Sequence, residues 1–367
     1  ETLQENLDLG IPVDVQYGDI DYMDKFKDFT VDEVAYQGLE TFVENIRSVG
    51  GMRWVPILDP AIAFNSDVPY VAYENSKNYE KVWVRISDFG DANVPFIGKQ
   101  WPTSQDGNTT LDVGFIDFWS EGAKQWWSYE IQDMSENLFK FDGLWIDMNE
   151  PHNLQQPDQC VENQWNDPPF MPRGVVGGSY WSGNEEEKKP RLSEQTICME
   201  AVQSDANLLH YNVHNLYGYS QAEATRQACD QTNSERCFVL SRSHFAGSQK
   251  YAHHWMGDNF SSWKDMKYSV VGLLDMNIAG YAFTGSDICG HVGQSNIDLC
   301  SRWTQLGFLY PFSRNHNSRG NFRQDPAYYN KIDPNFGNMA KKFAQMKYQF
   351  SPYLYTLLEG HTNSKCV

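Results

Sequence analysis

The chain has 367 residues, 41% of them hydrophobic and 14% aromatic, which is enough apolar material for one large core or two smaller ones. With 48 acidic against 29 basic residues the net charge is −19, so no basic stripe exists to meet nucleic-acid phosphates. No apolar run approaches the ~20 residues that cross a bilayer, so no membrane segment is expected in this chain. In chain order, GIPVDVQYGDIDYM (10–23) reads as a strand entering a loop, and VAYQGLETFVENIRSVGG (34–51) as a helix stopped by Gly-Gly. MRWVPILDP (52–60) is a strand and turn, SEGAKQWWSYEIQDMSENLF (120–139) a helix, and FDGLWIDMNEP (141–151) a strand again. RCFVLSRS (236–243), YAHHWMGDN (251–259) and AGYAFTGSDICG (279–290) continue the series with helical segments between them.

Repeated strand–loop–helix units imply a parallel sheet, because parallel neighbours need a crossover helix. Every strand candidate ends in polar or charged residues: Asp19 and Asp21, Asp59, Asp147, Arg242, Asp258, Asp287. In a β/α barrel the C-terminal strand ends converge on the face that carries the active site. The expected class is therefore α/β, a (β/α)8 barrel spanning 1–367 as one partial catalytic domain. A doubly wound open sheet is the alternative, but it wants a phosphate-cradling turn, and neither G-x-G-x-x-G nor a Walker motif is present. Residues 152–200 are rich in Pro, Gly and charge without a helical or alternating period. They read as an inserted lid or rim loop, flanked by Cys160 and Cys198.

The seven cysteines contain no C-x-x-C, which excludes zinc-ribbon and thioredoxin readings. The pairs Cys229/Cys237 and Cys289/Cys300 would close short loops. Asn108-Thr-Thr is a glycosylation sequon among turn residues, and together these features favour an oxidising, secretory compartment, whether secreted, lysosomal or at a cell surface. The N-terminal ETLQENLDLG is no signal peptide; either one has been removed or the chain begins inside a precursor.

A strand buried by Leu144, Trp145 and Ile146 can end in Asp147 if that carboxylate faces the mouth of a site, where it is a fixed anion. Asp258 follows another strand among His253, His254 and Trp255. Two carboxylates in different surroundings are what glycoside hydrolysis requires, one to attack and one to donate a proton. The plainer alternative is that strand-terminal aspartates cap the next helix. A metal centre built from His253, His254 and aspartates lacks an H-E-x-x-H or other ligand spacing, so neither metal nor cofactor is expected. Most of the twelve Trp and twenty Tyr read as core, although such aromatics also line carbohydrate sites.

DGLWIDMNEP, HHWMGDNFSSW, TGSDICG and YPFSRNHNSRGNFRQDP together resemble glycoside hydrolase family 31, in particular its animal α-glucosidases. GIPVDVQYGDIDYMDKFKDFT, PILDPAIA, YNVHNLYGYS, SRSHFAG and CSRWTQLGFLYPFSRNH extend the resemblance over essentially the whole chain. It implies a retaining, exo-acting α-glucosidase that releases terminal glucose from maltose, malto-oligosaccharides or starch without a cofactor. Asp147 then corresponds to the nucleophile and Asp258 to the general acid/base, with carboxyls about 5–5.5 Å apart. Asp59, Arg242, Asp287 and His316 correspond to residues that hold the nonreducing-end sugar, and Trp145, Met148, Trp255, Ile97 and Trp101 to its apolar wall. Arg314 corresponds to a support for the aspartates. The resemblance also implies disulfides Cys160–Cys198 and Cys289–Cys300, and an unglycosylated Asn259 despite its sequon.

The chain departs from that family at three places: His291 stands where relatives carry a pocket Phe, Val31 where an aromatic is common, and His244 where Thr is usual. The alternatives are a catalytically silent sugar-binding homologue, a transglucosylase, an α-xylosidase or a glycoprotein-trimming glucosidase. Members of the family carry flanking β-rich domains, and this chain would start just before the second barrel strand and end short of the eighth. N- and C-terminal segments of the same protein are therefore expected partners, and one of them would hold the mate of Cys366.

Overall fold

Short, fully buried strands carry most of the residues singled out above, in a computed structural model that describes residues 1–88, 91–155, 159–170 and 191–363. The chain forms two compact units, one of residues 15–252 and one of residues 1–14 with 253–367.

In the first unit β1 (Val15–Gly18), β2 (Arg53–Leu58), β3 (Gly143–Ile146) and β4 (Phe238–Ser241) lie side by side in that order, every pair parallel. β3 is buried at all four positions and β2 at all but its first, the signature of parallel strands covered on both faces rather than half-wet ones. The crossovers contain α1 (Leu39–Ser48) after β1, α2 (Glu121–Asn137) before β3 and α3 (Tyr217–Asn233) before β4. α1 is shorter than the expected 34–51, because the Asp32 carboxylate accepts from the N–H groups of Val34 and Ala35 in a turn. Gly38, at φ 82°, then starts the helix afresh. α2 begins where Ser120 Oγ accepts from the Ala123 N–H at 3.1 Å. Its Trp126 and Trp127 are fully buried, with ring N–H groups donating to the Ala72 carbonyl (3.1 Å) and Thr225 Oγ1 on α3 (3.0 Å).

The path from β2 to α2 detours through a three-stranded antiparallel sheet, Ala61–Ala63, Thr110–Phe115 and Ile97–Thr103. The segment 152–200 carries neither helix nor strand among its described residues. Cys160–Cys198 ties its ends, and Arg191 holds Asp167 through two hydrogen bonds of 3.0 Å. The middle of this segment and Cys366 lie outside the described residues. Cys229–Cys237 links the end of α3 to the start of β4.

In the second unit β5 (His253–Trp255) and β6 (Thr284–Gly285) pair in parallel, with α4 (Trp263–Ile278) between them, and α5 (Ile297–Gly307) follows. Asp287–Ile288 then runs parallel to Arg314–Asn315. The core gathers Ile288, Leu299, Trp303, Tyr310, Tyr329 and Phe336 around Cys289–Cys300, with Ile11 added from the N-terminal segment. Asn6 fixes that segment in place: its Nδ2 donates to Asp325 (2.7 Å) and its Oδ1 accepts from the Ala327 N–H (3.1 Å). No helix among the described residues is long and apolar enough to cross a membrane.

Candidate active site

The register of β2, β3 and β4 places the candidate residues of the first unit. Leu58 lies opposite Ile146, and Ile146 opposite Ser241, so the next residues in each chain, Asp59, Asp147 and Arg242, leave the sheet at one level. The ladder runs one step further: Asp147 N–H donates to Leu58 O (3.1 Å) and Arg242 N–H to Ile146 O (3.2 Å). Rigid backbone therefore delivers two carboxylates and a guanidinium to the same rim.

Arg242 organises that rim. Its Nη1 lies 2.9 Å from Asp147 Oδ1, while Nε and Nη2 each donate at 2.9 Å to the two carboxylate oxygens of Glu150. Nη2 also lies 3.2 Å from the Met148 sulfur. A fork gripped on its Glu150 side has one orientation, and that orientation presents Nη1 to Asp147. Burial raises the Glu150 carboxyl, but the Arg242 charge and hydrogen bonds outweigh it and hold it below the usual carboxylate range. The loop after β3 is stitched to the loop after β4 by fully buried Asn149, whose Nδ2 donates to Ser241 Oγ (2.9 Å) and whose Oδ1 accepts from the Ser243 N–H (2.8 Å). Met148 sits at φ 53°, the left-handed turn that lets Asn149 fold back.

Asp59 is nearly as buried as the core at 3% exposure, and its backbone N–H donates to both oxygens of Asp28, at 3.2 and 3.0 Å. Burial pushes both carboxyls well above the usual range; for Asp59 the neighbouring Asp28 and Asp147 charges add to the push and Arg242 opposes it. Asp59 Oδ1 is buried without a hydrogen-bond partner. Trp145, inside β3, is buried edge-on to Tyr17 at 6.2 Å between ring centres. Ile97 and Trp101 lie on the antiparallel detour. That strand joins the loop after β3 through Lys99 N–H to Asn153 Oδ1 (2.8 Å) and Gln100 Nε2 to His152 O (2.7 Å). Trp101 is partly exposed.

The second unit carries the remaining candidate residues. Trp255 is completely buried at the end of β5, and Asp258 is exposed after the left-handed Gly257 (φ 70°). The Asn259 carbonyl accepts from the N–H groups of His291 (2.8 Å) and Val292 (3.0 Å), which locks the Asp258 loop to the loop after β6. Gly290 permits this contact: a Cβ there would lie 2.5 Å from Ser261 N and Cα. Asp287, fully buried, receives Arg314 Nη2 on Oδ1 at 2.9 Å, and the Arg314 guanidinium rests 5.4 Å above the Trp255 ring. Burial pushes Asp287 up to about 6; Arg314 resists this and Asp258 adds to it. His316 and His291 stack with ring centres 4.5 Å apart. Burial, then the Arg314 charge and His291, keep His316 well below the ordinary imidazole range, so its ring is neutral at pH 7.

Asp59, Trp145, Asp147, Met148 and Arg242 thus gather in the first unit, and Trp255, Asp258, Asp287, Arg314 and His316 in the second. Asp19, another strand-end aspartate, does cap: its Oδ1 accepts from the Ile20 N–H at 2.7 Å. Asn108 is exposed in a turn, and Asn259 donates through Nδ2 to Ser286 Oγ at 2.6 Å. Two residues of the rim were not singled out from sequence, Asp28 and Glu150. Glu150 had a signal, being the second carboxylate of DMNEP; Asp28, in FKDFT, had none. Among the described residues, one group of side chains has the composition and spacing to hold a metal ion: Asp287, His291 and His316.

Residues 1–357 match the model of the glycosyl hydrolases family 31 TIM-barrel domain. The chain is 39% identical over 381 residues to the intestinal sucrase-isomaltase of Homo sapiens, covering 97% of the chain and 20% of that protein. It is 38% identical over 351 residues to the lysosomal alpha-glucosidase of Rattus norvegicus, covering 95% of the chain and 34% of that protein. In three dimensions it is similar to the crystal structure of the ER glucosidase II heterodimeric complex, with TM-score 0.77, 27% identity, 98% of this chain and 33% of that one. It therefore spans between a fifth and a third of the length of these relatives.

Proposed function

The chain belongs to glycoside hydrolase family 31, and from that premise we propose that it supplies the catalytic residues of a retaining, exo-acting α-glucosidase in the secretory pathway. The observation that carries this reading is the placement of Asp147. It leaves a fully buried strand, level with Asp59, and is held by an arginine that Glu150 has already oriented. In this reading Asp147 attacks the anomeric carbon of a terminal α-glucosyl unit. Asp258, the exposed carboxyl, protonates the departing glycosidic oxygen and then takes a proton from the water that releases glucose. Asp59 and Asp287 each keep one buried carboxylate oxygen without a hydrogen-bond partner. Such atoms are costly until a donor arrives, and sugar hydroxyls are such donors. Arg242 and His316 complete the set around that sugar, with Trp145, Met148, Trp255, Ile97 and Trp101 as its apolar wall and Arg314 steadying Asp287.

The test is glucose release from maltose and 4-nitrophenyl α-glucoside by the full-length protein carrying this chain, with the first-formed anomer read by NMR. We expect α-glucose first, and a loss of at least about 10³-fold in kcat for Asp147→Asn. Activity that survives Asp147→Asn overturns the nucleophile assignment. Release of β-glucose first overturns retention, and no release between pH 4 and 8 removes the hydrolase reading altogether.

A further inference from the structure

His291 follows Asp287 by four residues and His316 lies 25 further on, yet each of the three offers one ligand atom and these atoms all lie within 4.8 Å of one another. Two of the three residues carry a buried polar atom without a hydrogen-bond partner, Asp287 Oδ2 and His291 Nδ1. Buried polar atoms without partners are expensive to keep, and a cation held by this group would satisfy those it reaches.

The backbone that carries the three side chains is rigid. Asp287 belongs to a strand paired with Arg314–Asn315, and His316 follows that strand directly. Gln324, 3% exposed, donates through Nε2 to the carbonyls of Gly290 (2.7 Å) and His316 (2.8 Å) and so clamps two of the three ligand segments together. The His291 carbonyl accepts from Ser318 Oγ at 2.9 Å, and Cys289, between Asp287 and His291, is held by its disulfide to Cys300. Support of this kind around the ligand residues is what distinguishes a built metal site from a chance cluster.

We propose that Asp287, His291 and His316 form a site for a divalent transition metal of the Zn²⁺ class. Two imidazoles and a carboxylate suit Zn²⁺ and Co²⁺ rather than Ca²⁺ or Mg²⁺, which prefer all-oxygen shells. With metal–ligand distances of about 2.0–2.1 Å, ligand atoms stand roughly 3.3 Å apart, so the group must close by at most about 1.5 Å from its present spread. The imidazoles now stack with 18° between their planes, so their in-plane lone pairs lie in nearly parallel planes and do not converge on one point between the rings. Rotation of one ring about its Cβ–Cγ bond turns its nitrogen toward the other. Asp287 keeps Arg314 on Oδ1 and offers Oδ2 to the metal. The Arg314 charge weakens the site, and nearby Asp258 partly offsets it. Because Asp287 and His316 are also assigned to the sugar, bound metal and bound sugar exclude each other. That consequence rests on the proposed function, whereas metal binding does not.

The test is titration of the full-length protein with Co²⁺, read by its visible d–d absorption, followed by displacement with Zn²⁺. We expect one Co²⁺ per chain with a tetrahedral or five-coordinate spectrum. His291→Phe keeps the ring stack but removes the nitrogen, and should weaken binding by at least about 100-fold, more than the loss of an outer-shell partner. His316→Asn should do the same, with circular dichroism verifying the fold of both variants. Absence of a stoichiometric Co²⁺ signal, or a signal that both folded variants retain, overturns the proposal. The readout needs no turnover, so a protein that binds Co²⁺ here yet hydrolyses nothing would refute the glucosidase reading and leave this one standing. Where turnover is present, Zn²⁺ inhibition should be competitive with maltose and relieved at least tenfold in His291→Phe.

Discussion

Glu150 shows how a residue can matter to a site through another residue. It grips Arg242 through both carboxylate oxygens, at 2.9 Å each, and so fixes the nitrogen that meets Asp147. Glu150→Ala removes that grip and loosens the guanidinium's orientation while the strand ends stay put. If Asp147 reacts as proposed, a misplacement of about 1 Å there costs on the order of 100-fold, so kcat/KM should fall roughly 10- to 100-fold while the melting temperature moves little. An unchanged kcat/KM in steady-state kinetics would show that Arg242 orients itself without help. The sequence singled out Asp147, Asp258 and Asp287, because a carboxylate at the end of a strand-like run stands out. It concealed Asp28, whose contact with Asp59 joins two loops 31 positions apart and leaves no local pattern.

Among the secondary-structure elements, all six strand readings in the parallel series correspond to strands, whereas the helix read over 34–51 begins only at Leu39. Periodicity saw the buried face of Val43 and Ile46 but not the turn that Asp32 and Gly38 impose before it. β6 makes a sharp demand on a single position. A Cβ on Gly285 would stand 2.0 Å from the Phe312 carbonyl oxygen, with backbone on both sides and no flexible side chain to give way. Gly285→Ala should therefore cost about 2–3 kcal/mol, an overpacking penalty, measurable by chemical denaturation. It should also shift the segment from Phe312 to Arg314 that supports Asp287. Wild-type stability in this variant would mean that the two backbones separate easily.

Across the whole molecule, buried titrating groups set how stability follows pH. Glu130 on α2, hydrogen-bonded to Asn75 at 3.0 Å, is pushed up to about 7, chiefly by burial. An acid whose folded pKa is raised binds its proton more tightly when folded. Its contribution is complete below the unfolded value of 4.5 and is lost as pH climbs toward 7. The buried histidines work the other way. His214 is lowered to about 4 by burial, and His210, which shares a 2.9 Å ring contact with it, is lowered too. Their contribution is complete above the ordinary value of 6.5 and is lost as pH falls toward 4. Between about pH 4 and 7 the two trends therefore oppose each other. Glu130→Gln keeps the acceptor for Asn75 and removes the charge, so it should gain up to about 3 kcal/mol at pH 7.5 and nothing at pH 4. Melting curves at the two pH values give the difference, and an equal change at both would remove Glu130 from this account.

The sequence by itself determined the parallel strand–helix order, the polar ends of the strands and the family, because these are written in local runs: apolar stretches a few residues long, each followed by Asp or Arg. Only the tertiary structure decided which side chains touch. The in-register ends of β2, β3 and β4 set Asp59, Asp147 and Arg242 on one rim, and Glu150 and Asp28 gained their roles from contacts across loops. The Asp287–His291–His316 group escaped every spacing rule for the same reason. His316 is brought to Asp287 and His291 by a strand pair and a clamp from Gln324, and such long-range contacts have no periodicity to read.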